Sequence, residues 1–210
     1  MRVGTDQHTP RWNTAALGVL AATLATPVSA YCLWGIKWNT PPDANMYYNP
    51  ANKVTSGQCI SGSQMDSSVT GGIGKWKALT YAGTTTKKAN RRDGQNTVGW
   101  ANLGGGTLGI TNLLSYGNPT LTCGGNSFYS AFELDVRLSR TYRWTNGSGA
   151  CPCAAGSAFY LNSVAEHEYG HVIGLCHSSA PSALMYATSN VCENKTLTSD
   201  DTQGENALCY

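Results

Sequence analysis

The sequence predicts an α+β domain lying behind a removable leader. Three observations carry this reading. Apolar residues alternate over strand-length segments and recur at helical spacing from Val69 to Tyr81, a second helix carries a cluster of three histidines, and all eight cysteines lie beyond residue 30.

At the N-terminus, Arg2 and Arg11 supply positive charge, an Ala/Leu/Val/Thr stretch runs from Thr14 to Thr26, and Val28-Ser29-Ala30 offers small residues to a signal peptidase. The apolar run is shorter than the roughly 20 residues of a membrane-spanning helix. Residues 1–30 therefore read as a cleaved secretory signal. Residues 31–210 read as one catalytic-size domain, extracellular or periplasmic, monomeric and without a membrane anchor. Removing Arg2, Arg11 and Asp6 leaves 12 basic residues against 11 acidic ones, a balance that argues against nucleic acid as a partner. Behind a signal peptide, Cys32, Cys59, Cys123, Cys151, Cys153, Cys176, Cys192 and Cys209 read as a disulfide framework whose pairing stays open. Cys151 and Cys153 are expected to bond to different partners.

The elements follow in order. Ile36 to Pro50 leads into a first strand centred on Met46, Tyr47 and Tyr48. Val69, Ile73, Trp76, Leu79 and Tyr81 follow helical spacing, weakened by Gly71, Gly72 and Gly74. Thr84 to Gly94 is a polar, basic loop. Val98-Gly99-Trp100 and Thr107 to Leu114 read as strands around the Gly104-Gly105-Gly106 turn. Phe128 to Leu138 alternates, with Phe132, Leu134, Val136 and Leu138 on one face. A helix begins within Tyr160–Ser163, where Ser163 and Glu166 fit a capping box, and Gly174 ends it. Leu197 to Leu208 forms a closing helix capped by Thr198 or Ser199.

The string from His167 to His177 reads His-Glu-Tyr-Gly-His-Val-Ile-Gly-Leu-Cys-His. Residues four apart share a helical face, so His167 and His171 can aim at one metal ion. Gly174 lets the chain turn out of the helix and return His177 as a third ligand. Three protein ligands leave a position open for water, the pattern of a catalytic zinc site. Glu168 points to a neighbouring sector and can take a proton from zinc-bound water while the metal polarises a scissile carbonyl. The alternative, three unrelated histidines on a core helix, does not account for the added glycine and third histidine.

This string resembles the zinc motif of the metzincin metallopeptidases, and Ser178 after His177 resembles the matrixins among them, especially short bacterial secreted ones. Ala183-Leu184-Met185-Tyr186 is similar to the matrixin Met-turn, which implies that Met185 forms an apolar floor beneath the zinc. Gly105 to Leu108 resembles the rim strand above the cleft, so the backbone of Thr107, Leu108 and Gly109 is expected to bind extended substrate. Leu134-Asp135-Val136, Trp144 and the Asp200-Asp201 pair resemble flanking segments. The resemblance implies that one of these aspartates is buried behind the Met-turn, with a solvated surface position as the alternative, and that the buried one also pairs with the new amino group of Tyr31. It also implies an α+β metzincin fold, with a twisted mixed sheet, an active-site helix and a C-terminal helix, and a secreted zinc endopeptidase acting on protein or peptide substrates. One catalytic Zn2+ is expected. No structural zinc is expected, because Ile110 stands where the rim strand would supply a histidine. Ca2+ is compatible with the Gly- and Asn-rich loops, although no acidic cluster demands it. A Cys176–Cys192 bridge would brace the Met-turn in place of a second metal. A disulfide-braced binding module keeping zinc as a relic, and a peptidase confined to very small peptides or cell-wall crosslinks, are the competing readings.

Overall fold

The computed structural model describes residues 30–39, 44–147 and 158–210. The leader before Ala30 and the Cys151-Pro152-Cys153 stretch lie outside the described residues. In chain order the elements are β1 (Cys32–Leu33), β2 (Ile36–Lys37), β3 (Ala44–Tyr48), α1 (Gly62–Ile73), β4 (Leu79–Thr84), β5 (Asn96–Ala101), β6 (Gly109–Cys123), β7 (Asn126–Ser139), β8 (Arg143–Thr145), β9 (Ala158–Tyr160), α2 (Leu161–Ile173), β10 (Leu175–Cys176) and α3 (Ser199–Ala207).

One six-stranded sheet runs β2-β7-β5-β3-β4, with β6 on the other edge of β7. All neighbours are parallel except β6, which runs antiparallel to β7. This mostly parallel sheet with its helices is the α+β arrangement expected. Met46, Tyr48, Val98, Leu134, Val136 and Leu138 from the sheet join Met65, Val69 and Ile73 of α1 and Leu161, Tyr169 and Val172 of α2 in one core. Its aromatic residues have their polar tips satisfied: Trp76 Nε1 donates to Glu166 O at 2.9 Å, Tyr169 OH to Val69 O at 2.9 Å and Trp38 Nε1 to Val172 O at 2.9 Å.

Two sequence expectations need correction. The helix expected over Val69–Tyr81 occupies Gly62–Ile73 instead. Its start is fixed by a capping box, Gln64 N donating to Ser61 Oγ at 3.2 Å and Ser61 N to Gln64 Oε1 at 2.8 Å. It stops at Gly74, and Leu79 to Thr84 is a strand whose Tyr81 faces solvent. Phe132 leaves the buried face of β7 and is 58% exposed. The β6–β7 ribbon shifts register repeatedly between Leu113 and Leu121, and Phe132 lies over Gly117 on the outer face while Phe128 and Ala131 stay buried.

The cysteines also pair differently. β1 and β10 align Cys32 with Cys176, and these two form a disulfide, which excludes the Cys176–Cys192 bridge. Cys123 bonds to Cys209, and Cys59 and Cys192 are disulfide-bonded as well. The first two bridges close loops of 144 and 86 residues. By the chain-entropy account each contributes on the order of 5 kcal/mol.

Buried carboxylates organise the basic loop before β5. Asp135 accepts the backbone N–H of Asn90, Arg91 and Thr97 at 2.5, 3.1 and 2.7 Å, and Glu133 accepts that of Asp93 at 2.7 Å. Asp135→Ala should therefore lower unfolding stability by about 2–3 kcal/mol. Urea denaturation checks this, and an unchanged midpoint would mean that water replaces the carboxylate.

Candidate active site

Helix α2 starts at Leu161 with Tyr160 as its N-cap, so Ser163 lies inside the helix and the expected Ser163–Glu166 capping box is absent. Ser163 Oγ instead donates towards Lys195 O at 2.7 Å, tying the loop after Cys192 to the helix. At the other end Gly174 turns with φ 111°. Its Cα packs so tightly on the Ile36 carbonyl that no side chain fits there. This turn sends the chain through β10 and returns His177 to the helix face.

His167, His171 and His177 place one ring nitrogen each within 4.8 Å of one another, the one such cluster of at least three metal-binding side chains among the described residues. His167 Nδ1 lies 2.7 Å from Leu184 O and His171 Nδ1 lies 2.7 Å from Leu175 O. Each carbonyl holds a proton on Nδ1 and leaves Nε2 as the donor. Burial pushes His167 down to about 4 and His171 down to about 3, and it lowers His177 as well. Near neutral pH all three are uncharged imidazoles, the form that binds zinc. The donor set therefore fits the ion.

Glu168 is 5% exposed, and burial raises its carboxyl to about 7, against the hydrogen bond from Thr111. Thr111 Oγ1 lies 2.7 Å from Glu168 Oε2 and 3.0 Å from the backbone O of Glu168. The rim strand presses on this carboxylate: a Cβ on Gly109 would fall 2.6 Å from Glu168 Oε1 and 2.7 Å from Cγ. Thr107 and Leu108 precede the strand, which starts at Gly109, and all three line the cleft beside His167 and Glu168.

Below the histidines, Met185 is 1% exposed and its thioether packs directly on Gly170 of α2. Asp201 has no exposed surface. Its two oxygens accept Met185 N and Leu184 N at 2.9 Å each. Asp200 faces the N-terminal arm, accepting Ser178 Oγ at 2.7 Å and Ala30 N at 2.8 Å. The backbone amide it meets is that of Ala30, one residue before the expected new terminus.

Sequence reasoning missed Thr111, Lys195 and Trp34. Thr111 was accessible, because alternation puts residues 109 and 111 on one face of a strand. Lys195 is 7% exposed and lines the cleft, its Nζ donating to Thr188 O at 2.9 Å and Pro181 O at 3.1 Å. No local pattern marks Lys195 or Trp34, because long-range contacts place both.

The family model described as Matrixin matches residues 119–209, a span containing the histidine string, the turn at Met185 and Asp201. This part of the chain is similar to the matrixins. It is similar to human matrix metalloproteinase-20, with 43% identity over 54 residues, 26% of this chain and 10% of the relative. Dog matrix metalloproteinase-9 is 46% identical over 67 residues, 32% of this chain and 8% of the relative. Human neutrophil collagenase is 37% identical over 92 residues, 43% of this chain and 16% of the relative. Each alignment thus spans a small part of the relative's length.

In this matrixin-like site, Asp201→Asn would turn an N–H2 group towards one of two backbone amides. Stability should fall by about 2 kcal/mol, and zinc affinity about tenfold or more through the Leu184–His167 hydrogen bond. Chelator competition beside thermal unfolding checks both effects.

Proposed function

We propose that the chain is a secreted zinc endopeptidase in which His167, His171 and His177 hold one ion and Glu168 serves as general base and then general acid. The observation that carries this reading is the convergence of three neutral imidazoles with one buried carboxylate beneath an exposed strand edge. When bound, zinc supplies Lewis acidity at the scissile carbonyl and makes the attacking water more acidic.

The remaining work falls to the chain. Among the described residues β6 pairs only with β7, so its other edge is free for an extended peptide. Antiparallel pairing, the stronger ladder, sets the peptide's carboxyl side beside Thr107 and Leu108 and its amino side beside Ile110 and Thr111. Glu168, held by Thr111 and crowded by Gly109, accepts the water's proton as it attacks. The same carboxyl then delivers that proton to the departing amine. The side chain after the scissile bond enters a cavity of about 260 Å³ lined by Val164, Leu184, Tyr186, Ser189 and Lys195. Met185 keeps the floor apolar and fixed.

Residues 1–30 direct export and are then removed, and the disulfides suit an oxidising compartment. N-terminal sequencing of the exported protein should begin at Tyr31, and retention of the leader on active protein would refute this processing.

Cleavage of a mixed peptide library by the zinc-loaded chain should fall at least about a thousandfold in Glu168→Gln. It should also vanish on chelation and return with zinc. Equal, negligible turnover by both proteins with one zinc per chain would instead favour a binding module. Gly109→Ala should keep the fold yet lower kcat about ten- to a hundredfold, because the methyl displaces the Glu168 carboxylate. Steady-state kinetics beside thermal unfolding separate the two effects.

A further inference from the structure

A second cavity, of about 310 Å³, opens on the other side of the histidine cluster, lined by Trp34, Gly109, Ile110, Thr111, Glu168, His171, Cys176 and His177. Trp34 reaches it from the N-terminal arm. The indole is 41% exposed, and its centroid stands 5.9 Å from the His171 ring with an interplanar angle of 62°. Ile110, 36% exposed, adds a second apolar wall.

An exposed tryptophan on a loose arm would mean little, but this one is held on both sides. Cys32 is bonded to Cys176, immediately before His177. Leu33 pairs with Leu175, and Trp34 N donates to Gly174 O at 2.7 Å. Gly35 O accepts Tyr129 N at 2.9 Å, and Ile36 pairs with Tyr129 in the sheet. The arm is thus fastened to the end of α2 on one side and to β7 on the other, with Trp34 between. A half-exposed apolar face fixed in a cleft suits ligand binding, because the fold has already offset the cost of ordering it.

We propose that Trp34 is a specificity-determining residue that receives an aromatic side chain of the substrate on the amino side of the scissile bond. This rests on the endopeptidase reading for the direction of the chain, since the cavity borders residues 109–111 of the rim strand. Three features select the aromatic class. The indole offers a planar face, Ile110 adds apolar area, and the single carboxylate lining the cavity among the described residues, Glu168, is buried. A flat apolar ring gains both area and ring–ring contact there, whereas a glycine leaves the indole in water and a charged side chain loses solvation.

The test uses the disulfide-intact, zinc-loaded chain and two peptides of one sequence, carrying phenylalanine or glycine at the two positions before the cleaved bond. The chain and Trp34→Phe should favour the phenylalanine peptide about tenfold or more in kcat/KM, and Trp34→Ala should bring that ratio near unity. A non-reduced peptide map showing Cys32 joined to Cys176 verifies the arm in each variant. The same peptides are titrated by fluorescence anisotropy into Glu168→Gln and into Glu168→Gln carrying Trp34→Ala, where binding is read without turnover. A phenylalanine preference that disappears with Trp34 in this titration supports the inference even where the parent chain cleaves neither peptide, in which case the endopeptidase reading alone fails. Absence of an aromatic preference, or one unchanged by Trp34→Ala, overturns it.

Discussion

Asp201 sits wholly inside the protein, where it accepts the backbone N–H groups of Leu184 and Met185 and both the amide and hydroxyl of Thr198. An unpaired carboxylate at that depth would be prohibitively costly, and four donors around two oxygens remove the cost. The same contacts start α3 and fix the turn at Met185. Leu184 then offers its carbonyl to His167, and Met185 lays its thioether against Gly170. One buried acid therefore sets the tautomer of a histidine in the candidate metal cluster and the floor beneath it. The other pieces of the cleft are positioned against this floor.

Close backbone approach is the second constraint. Gly109 brings the rim strand onto Glu168, Gly170 admits Met185, and Gly174 packs on the Ile36 carbonyl while reversing the chain. A side chain at any of these positions would separate surfaces that the site needs in contact. Only at Gly174 does a positive φ add to the requirement.

Several features were legible in the sequence for local reasons. The spacing of His167 and His171 is a property of any helix, and Gly174 marks its end in any context. The strands at Val98-Gly99-Trp100 and Phe128 to Leu138 announced themselves by alternation, and Thr198 by its place before α3. Misreadings arose where a local signal competed with packing. Val69 and Ile73 are truly helical and buried, but Leu79 continues their period only by coincidence, because Gly74 had already released the chain. Ser163 has the composition of a cap, yet its hydroxyl serves a loop more than thirty residues away. Phe132 keeps the phase of Leu134 but lies exposed over Gly117, while Phe128 and Ala131 fill the core beside it.

By itself, the sequence determined which residues can meet a metal and which acid stands beside them, because helix periodicity and one glycine turn are short-range geometry. It also marked the cysteines as disulfide partners, which holds for the six among the described residues, without showing how they pair. Tertiary structure alone decided that Cys32 joins Cys176, that Lys195 walls one side of the cleft and that Trp34 walls the other. These placements depend on which distant strands pair and how far the sheet twists. No window of neighbouring residues contains that information, since the contacts that fix it join residues far apart in sequence.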